Sequence, residues 1–161
     1  MWPIHNLMHE IDNNICFLLH KTLQRSLVLL REEIGHYGLT PSQFVLLACL
    51  WQQEGLTQVE LSNKSQIDRT TIGGLINRLE KNGLLERRPH HQDSRTNQIY
   101  LTERSKDLEI LLSQCALNSQ DKFINVLNEN EVKELTRILK ILRGYTNITL
   151  LRDIHPNSIS Q

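Results

Sequence analysis

Apolar residues at Leu7, Ile11, Ile15, Leu18, Leu19, Leu23, Leu27, Leu30 and Ile34 recur in steps of three and four, the period of an amphipathic helix. The pattern predicts one long first helix, ended where Gly35 and Gly38 accumulate. Thr40, Pro41, Ser42 and Gln43 then supply an N-cap, a proline at the first helical position and a glutamine three residues after the cap. The helix they open, to about Gln53, is apolar nearly all round and is expected to be buried. Gly55 closes it, and Thr57 with Glu60 forms a second capping box for a short helix to about Lys64.

Only Ser65 to Ile67 separate that helix from Asp68, a good N-cap for a helix running to Asn82 with Gly83 at its C′ position. Two helices joined by so short a turn cross steeply, as in a helix-turn-helix. Ile72, Leu75, Ile76 and Leu79 make the inward stripe of the second, while Arg69, Thr70, Gly73, Asn77, Arg78 and Lys81 lie largely on the rest of its surface. Leu84 to Arg88 then reads as a strand, Pro89 to Asn97 as a polar loop and Gln98 to Leu101 as a returning strand. A two-stranded ribbon at this place is a wing. Thr102 caps a further helix through Leu127, with a bend expected near Asn118 and Ser119, and Asn128 with Glu131 caps one more.

These readings give a mainly α (α+β) fold, a winged helix-turn-helix with long N- and C-terminal dimerisation helices. Residues 1–161 make a single domain, with the winged region at 40–101, dimerisation helices at 1–36 and 103–146, and a polar tail at 147–161. Terminal stripes of that length exceed what so small a centre can cover, so a homodimer is expected.

Composition sharpens this picture. The chain has 161 residues, 18 Lys plus Arg and 18 Asp plus Glu, which excludes a uniformly basic coat for nucleic acid. Between Thr57 and Leu101, however, Lys64, Arg69, Arg78, Lys81, Arg87, Arg88 and Arg95 face Glu60, Asp68, Glu80, Glu86 and Asp93, leaving the centre at +2 and the remainder at −2. Asp68 and Glu60 sit at helix N-termini, where carboxylates are favoured. Cations on a helix face often mean only a solvated surface; their coincidence with a helix-turn-helix and a wing points to double-stranded DNA.

Met1 to Glu10 lacks a basic start, and the apolar run Phe44 to Trp51 is too short to cross a bilayer, so a soluble, cytoplasmic protein with no membrane partner is expected. The 3 cysteines, Cys16, Cys49 and Cys115, show no CxxC spacing. His5 and His9 are spaced as two ligands, with His90 and His91 adjacent elsewhere, but no third ligand is evident and no metal or other cofactor is read. Nucleophile-elbow, zinc-protease, P-loop and dinucleotide patterns are absent, so no enzyme is expected.

The runs GLTPSQFVLLACL from Gly38, LTQVELSNKSQIDRTTIGGLINRLEKNGLLERR from Leu56 and DSRTNQIYLTERSKDL from Asp93 resemble the MarR family of winged helix-turn-helix transcription regulators, over about Ile11 to Leu142. The resemblance implies a homodimer with recognition helices in successive major grooves and wings in the flanking minor grooves. It places Ser65, Gln66, Asp68, Arg69, Thr70, Thr71, Asn77 and Arg78 at the recognition helix, and Arg88, His90, Asp93, Arg95 and Thr96 at the wing. Arg95 matches the family's minor-groove arginine and Asp93 the acid that orients it. Arg87 and Arg88 alternate on a strand, so only one of them can face DNA. Gly73 and Gly74 allow either close approach to DNA or close packing of the neighbouring helix.

The resemblance further implies repression of a pseudo-palindromic operator, relieved by a small aromatic or phenolic effector bound between the dimerisation helices and the winged region. Cys16, His20, Arg25 and Trp51 are candidate lining residues, and each also reads as an ordinary core or interface residue. The GLTPSQF and DRTTIGG wording resembles regulators of aromatic-acid catabolism, which suggests an aromatic carboxylate or its CoA thioester. A second reading is thiol sensing by Cys16, placed like the reactive cysteine of the organic-hydroperoxide branch, but with His20, Leu30 and Pro41 where that branch has aromatic residues. A buried, inert thiol is the plainer reading of Cys16.

Overall fold

A computed structural model describes residues 11–89 and 95–144. The chain divides into two compact units, Met1–Phe123 and Ile124–Gln161. In the first unit a single 3-10 turn, Ile11–Asn13, precedes helix α1 (Ile15–Ile34). The apolar stripe predicted a helix running unbroken from Leu7; instead Asn14 adopts extended backbone and its Oδ1 accepts the Phe17 N–H at 3.0 Å. Asparagine there satisfies an orphan amide of a new helix better than it would continue an old one. Leu7, His5, His9 and the tail at 147–161 lie outside the described residues.

Helix α2 (Pro41–Gln52) begins on the expected capping box: Gln43 N–H donates to Thr40 Oγ1 and Thr40 N–H to Gln43 Oε1 at 2.9 Å. Strand β1 (Leu56–Thr57) follows, then α3 (Gln58–Ser65), capped by Thr57 and Glu60, and α4 (Arg69–Lys81). Strands β2 (Leu85–Pro89) and β3 (Asn97–Leu101) lead to α5 (Glu103–Asp107) and α6 (Glu109–Ile124). The sheet is antiparallel in the order β1–β3–β2. It has three strands where the sequence pattern predicts two, because β1 is only two residues long and pairs through Leu56 opposite Ile99.

The core gathers on α2. Leu46, Leu47 and Leu50 are fully buried with Ile34 of α1, Leu61 of α3, Ile72, Ile76 and Leu79 of α4, Ile99 of β3 and Leu112 of α6. Each such side chain contributes about 2 kcal/mol by leaving water. This is the rigid block on which α4 and the sheet are mounted.

The expected bend at Asn118 and Ser119 does not occur; the helix is interrupted at Leu108 instead, between α5 and α6. Asn118 accepts from Gln114 Nε2 at 3.0 Å and the Ser119 hydroxyl donates to Ala116 carbonyl at 3.1 Å, so both polar side chains are satisfied without opening the helix. Lys122 of α6 bonds Glu33 of α1 at 2.5 Å, and that bond holds the Glu33 carboxyl below the usual carboxylate range.

Of all the residues in α1 only Ile34 is buried, and Ile15, Leu18, Leu19, Leu23 and Leu27 stand exposed. In the second unit α7 (Glu129–Leu142) starts on the capping box of Asn128 and Glu131 and exposes Ile138, Leu139 and Leu142. No helix among the described residues is long and apolar enough to cross a membrane.

Candidate nucleic-acid interface

The turn between α3 and α4 is built by short polar side chains. Gln66 takes a left-handed conformation (φ 57°) and donates from Nε2 to Asn63 carbonyl at 2.5 Å. Ser62 Oγ donates to Ile67 carbonyl at 2.6 Å, and the Ile67 N–H donates to Ser65 Oγ at 3.3 Å. Ser65 and Gln66, both expected at the DNA surface, thus shape the turn that aims α4.

Asp68 caps α4, accepting from Thr70 N–H at 3.0 Å, Thr71 N–H at 2.9 Å and Thr70 Oγ1 at 2.5 Å. Hydrogen bonds from the side chains of Thr70 and Thr71, then from their backbones, lower its carboxyl to about 2. Asp68 therefore stays ionised at neutral pH and fixes the first turn, while a carboxylate would repel a phosphate. Arg69, Thr70, Thr71, Asn77 and Arg78 are all exposed on α4, and the fully buried Ile72, Ile76 and Leu79 hold the opposite side of the helix.

The paired glycines separate in role. A Cβ on Gly73 would lie 3.3 Å from Gln58 Nε2, so Gly73 serves the close approach of α3 and α4. A Cβ on Gly74 would meet nothing within 4 Å, and that position is exposed.

Gly83 (φ 69°) ends α4 in a Schellman motif: Leu84 N–H donates to Leu79 carbonyl and Gly83 N–H to Glu80 carbonyl, both at 2.9 Å. Leu84 thereby closes the helix, so β2 starts at Leu85, one residue later than the sequence pattern predicts. The register Glu86–Tyr100 and Arg88–Gln98 puts these four on one face of the sheet, while Arg87 pairs with Ile99 on the other. Arg88 lies 4.3 Å from the Tyr100 ring centroid and bonds Glu86 through Nε at 2.7 Å. Arg87 instead reaches α4, ion-pairing with Glu80 and donating from Nη2 to Asn77 Oδ1 at 2.5 Å. Of the two arginines it is thus Arg87, absent from the expected contact set, that joins the recognition helix. No sequence periodicity links positions seven and ten residues apart across a helix end.

Arg95 is exposed and Thr96 half-buried where the chain enters β3. His90, His91 and Asp93 lie outside the described residues.

The candidate effector residues are not gathered around one another by the contacts they make. Cys16, His20 and Arg25 are exposed on α1. Trp51, half-buried, donates from Nε1 to Ser105 carbonyl at 3.2 Å and packs edge-on against Phe44 at 6.1 Å, tying α2 to α5. Cys16 is exposed rather than buried, whereas Cys115 is buried and burial pushes the Cys49 thiol up. Among the described residues no group of three or more His, Cys, Asp or Glu could hold a metal ion.

A short helix, a tight turn, a capped helix with an exposed donor-rich face and an antiparallel wing define a winged helix-turn-helix DNA-binding protein. The MarR family model matches residues 39–96. The regulator MgrA of Staphylococcus aureus is 28% identical over 141 residues, covering 85% of this chain and 93% of MgrA. A probable transcriptional regulator from Pseudomonas aeruginosa superposes with a TM-score of 0.78 at 28% identity, covering 83% of this chain and 99% of that one. BpsR of Bordetella bronchiseptica, solved to explain regulation of its DNA binding by 6-hydroxynicotinic acid, gives 0.78 at 25% identity over 82% of this chain and 94% of BpsR. Over residues 39–96 the chain is similar to the MarR family of DNA-binding transcriptional regulators.

Proposed function

We propose that the protein is a homodimeric, cytoplasmic repressor that reads a pseudo-palindromic operator with α4 and the wing and is released by a small aromatic carboxylate. The observation that carries the DNA reading is the exposed row Arg69, Thr70, Thr71 and Arg78 on a helix whose other side is locked into the core. Threonine and arginine there can donate to base edges or phosphates, and Arg95 and Thr96 extend the contact to the minor groove, with His90 and Asp93 beside them in sequence. Ser65, Gln66 and Asp68 support the row by shaping and capping its first turn. Asn77 and Arg88 have their contacts with Arg87 and with Tyr100 and Glu86, and Arg88 sits on the sheet face turned away from Arg87.

The exposed apolar stripe of α1 supports dimerisation, since a second copy offers the same stripe to cover it. The aromatic effector is supported by BpsR, whose DNA binding is regulated by 6-hydroxynicotinic acid. Such a ligand lowers DNA affinity only by its differential affinity for the two states of the dimer. Thermal shift across aromatic carboxylates and their CoA thioesters, followed by gel shift on the DNA upstream of its own gene, tests this. A compound that raises Tm and releases DNA supports the reading, and no response from any compound removes it.

One observation favours the second reading, thiol sensing: Cys16 is exposed, with His20 one turn further along the same helix. Under it, peroxide treatment abolishes DNA binding of the wild type and spares Cys16→Ser. Equal loss in both proteins removes it.

A further inference from the structure

One guanidinium bridges the recognition helix and the wing. Arg87 of β2 ion-pairs through Nη1 with Glu80 and donates through Nη2 to Asn77 Oδ1 at 2.5 Å. Asn77 and Glu80 stand three apart on α4, on neighbouring positions of one face. Arginine offers only donors, so the amide atom turned toward it has to be the oxygen. The side chains of Arg87 and Glu80 are 26% and 37% exposed, shielded enough that the pair is more than a solvated surface contact.

We propose that Arg87 is a positioning residue for DNA reading, locking the first wing strand to the recognition helix and fixing the orientation of the Asn77 amide. This rests on the DNA reading above. The wing is already joined to α4 by the tight Gly83 turn. The planar fork adds a second point of attachment, so the hairpin and α4 move as one body. The span from Arg69–Thr71 to Arg95 is then set before DNA arrives, and the entropy of aligning two separate elements is not lost on binding. A further consequence concerns base choice. An asparagine reads adenine by presenting its oxygen and its nitrogen together. With one lone pair of Oδ1 held by Arg87, Asn77 keeps its Nδ2 donors and a second lone pair, but the fork sets the orientation of its amide before a base arrives. Glu80 likewise neutralises Arg87, which removes that cation from the phosphate-binding set although its sequence neighbourhood is basic.

The test compares the full-length protein and its variants on two duplexes: the segment upstream of its own gene that footprinting shows protected, and a scrambled duplex of equal length and composition. Affinity is measured across a salt series. Arg87→Ala should weaken the protected segment about tenfold, leave the scrambled duplex within about twofold, and keep the salt slope of the wild type. Arg87→Lys should fail to rescue, because an ammonium lacks the fork. The exchanged pair E80R/R87E keeps net charge, restores opposite charges across the gap and should recover part of the lost discrimination. If Arg87→Ala weakens both duplexes equally and lowers the slope by about 0.9, Arg87 is a phosphate contact and the proposal is overturned. Wild-type discrimination in Arg87→Ala, or full activity in Arg87→Lys, also overturns it. Should Arg87→Ala fail to fold, Arg87→Lys and the exchanged pair still decide. A wild-type protein that does not distinguish the two duplexes removes the DNA reading itself, a failure visible before any variant is made.

Discussion

Asp68 and Thr71 are joined at 2.9 Å, the carboxylate accepting the backbone N–H that opens the recognition helix, and the same oxygen also takes the N–H and the hydroxyl of Thr70. The bond does two things at once: it satisfies amides no helical carbonyl can reach, and it fixes the two threonines in the first turn of α4.

A pH dependence follows from that cap. The Asp68 carboxyl is lowered from 3.8 to about 2 by hydrogen bonds from Thr70 and Thr71. A folded value below the unfolded one means that the stabilisation is complete above about pH 4 and is lost as pH falls toward 2. Asp68→Asn keeps an acceptor without the titrating charge, so its Tm should fall less steeply than wild type over that window. Thermal melts between pH 2 and 5 check this, and parallel curves would contradict it.

The two glycines of α4 should respond differently to alanine. Gly74→Ala fills open space in a helix interior and should stabilise the fold by about 0.5–1 kcal/mol. Gly73→Ala puts a methyl 3.3 Å from Gln58 Nε2, so part or all of that gain is offset by displacing the Gln58 side chain. Denaturant melts rank them. If Gly74 also serves approach to DNA, its alanine variant loses operator affinity while gaining stability.

Ser105 is fully buried, and its hydroxyl has no hydrogen-bond partner among the described residues although its carbonyl accepts from Trp51 and its N–H donates to Thr102 Oγ1. An orphaned hydroxyl costs on the order of 1 kcal/mol, so Ser105→Ala should raise stability by about that amount. A measured loss would show that the oxygen has a role in packing.

At the wing, Arg95→Ala should lower operator affinity and reduce the slope of log affinity against log salt by about 1, one phosphate or minor-groove contact having been removed. An unchanged slope would take Arg95 out of the interface. This outcome contrasts with the unchanged slope expected for Arg87→Ala, so Arg87 and Arg95 are told apart by one measurement.

The features legible in the sequence are those that local spacing controls. The capping pairs Thr40 with Gln43, Thr57 with Glu60 and Asn128 with Glu131, the cap at Asp68 and the left-handed Gly83 all lie within a few residues of the helix end they govern. Strand β1 is not legible there because two residues have no periodicity, and its existence depends on Ile99 far along the chain. Helix α1 starts at Ile15 although its apolar stripe continues back to Ile11, because periodicity records a face and Asn14 decides where hydrogen bonding begins. At the interface, the exposed row of α4 could be read from amphipathic spacing. The bond from Arg87 to Asn77 and Glu80 could not, since strand alternation shows that Arg87 and Arg88 point oppositely but not which of them meets α4.

Two copies of α4, held by one dimer, are expected to read two half-sites. Footprinting the DNA upstream of its own gene at increasing protein concentration tests it most directly. Protection of a pseudo-palindrome whose half-sites are about 10 bp apart, one helical turn, should appear at both half-sites together at one concentration. Protection of a single isolated half-site, or of none, would contradict it.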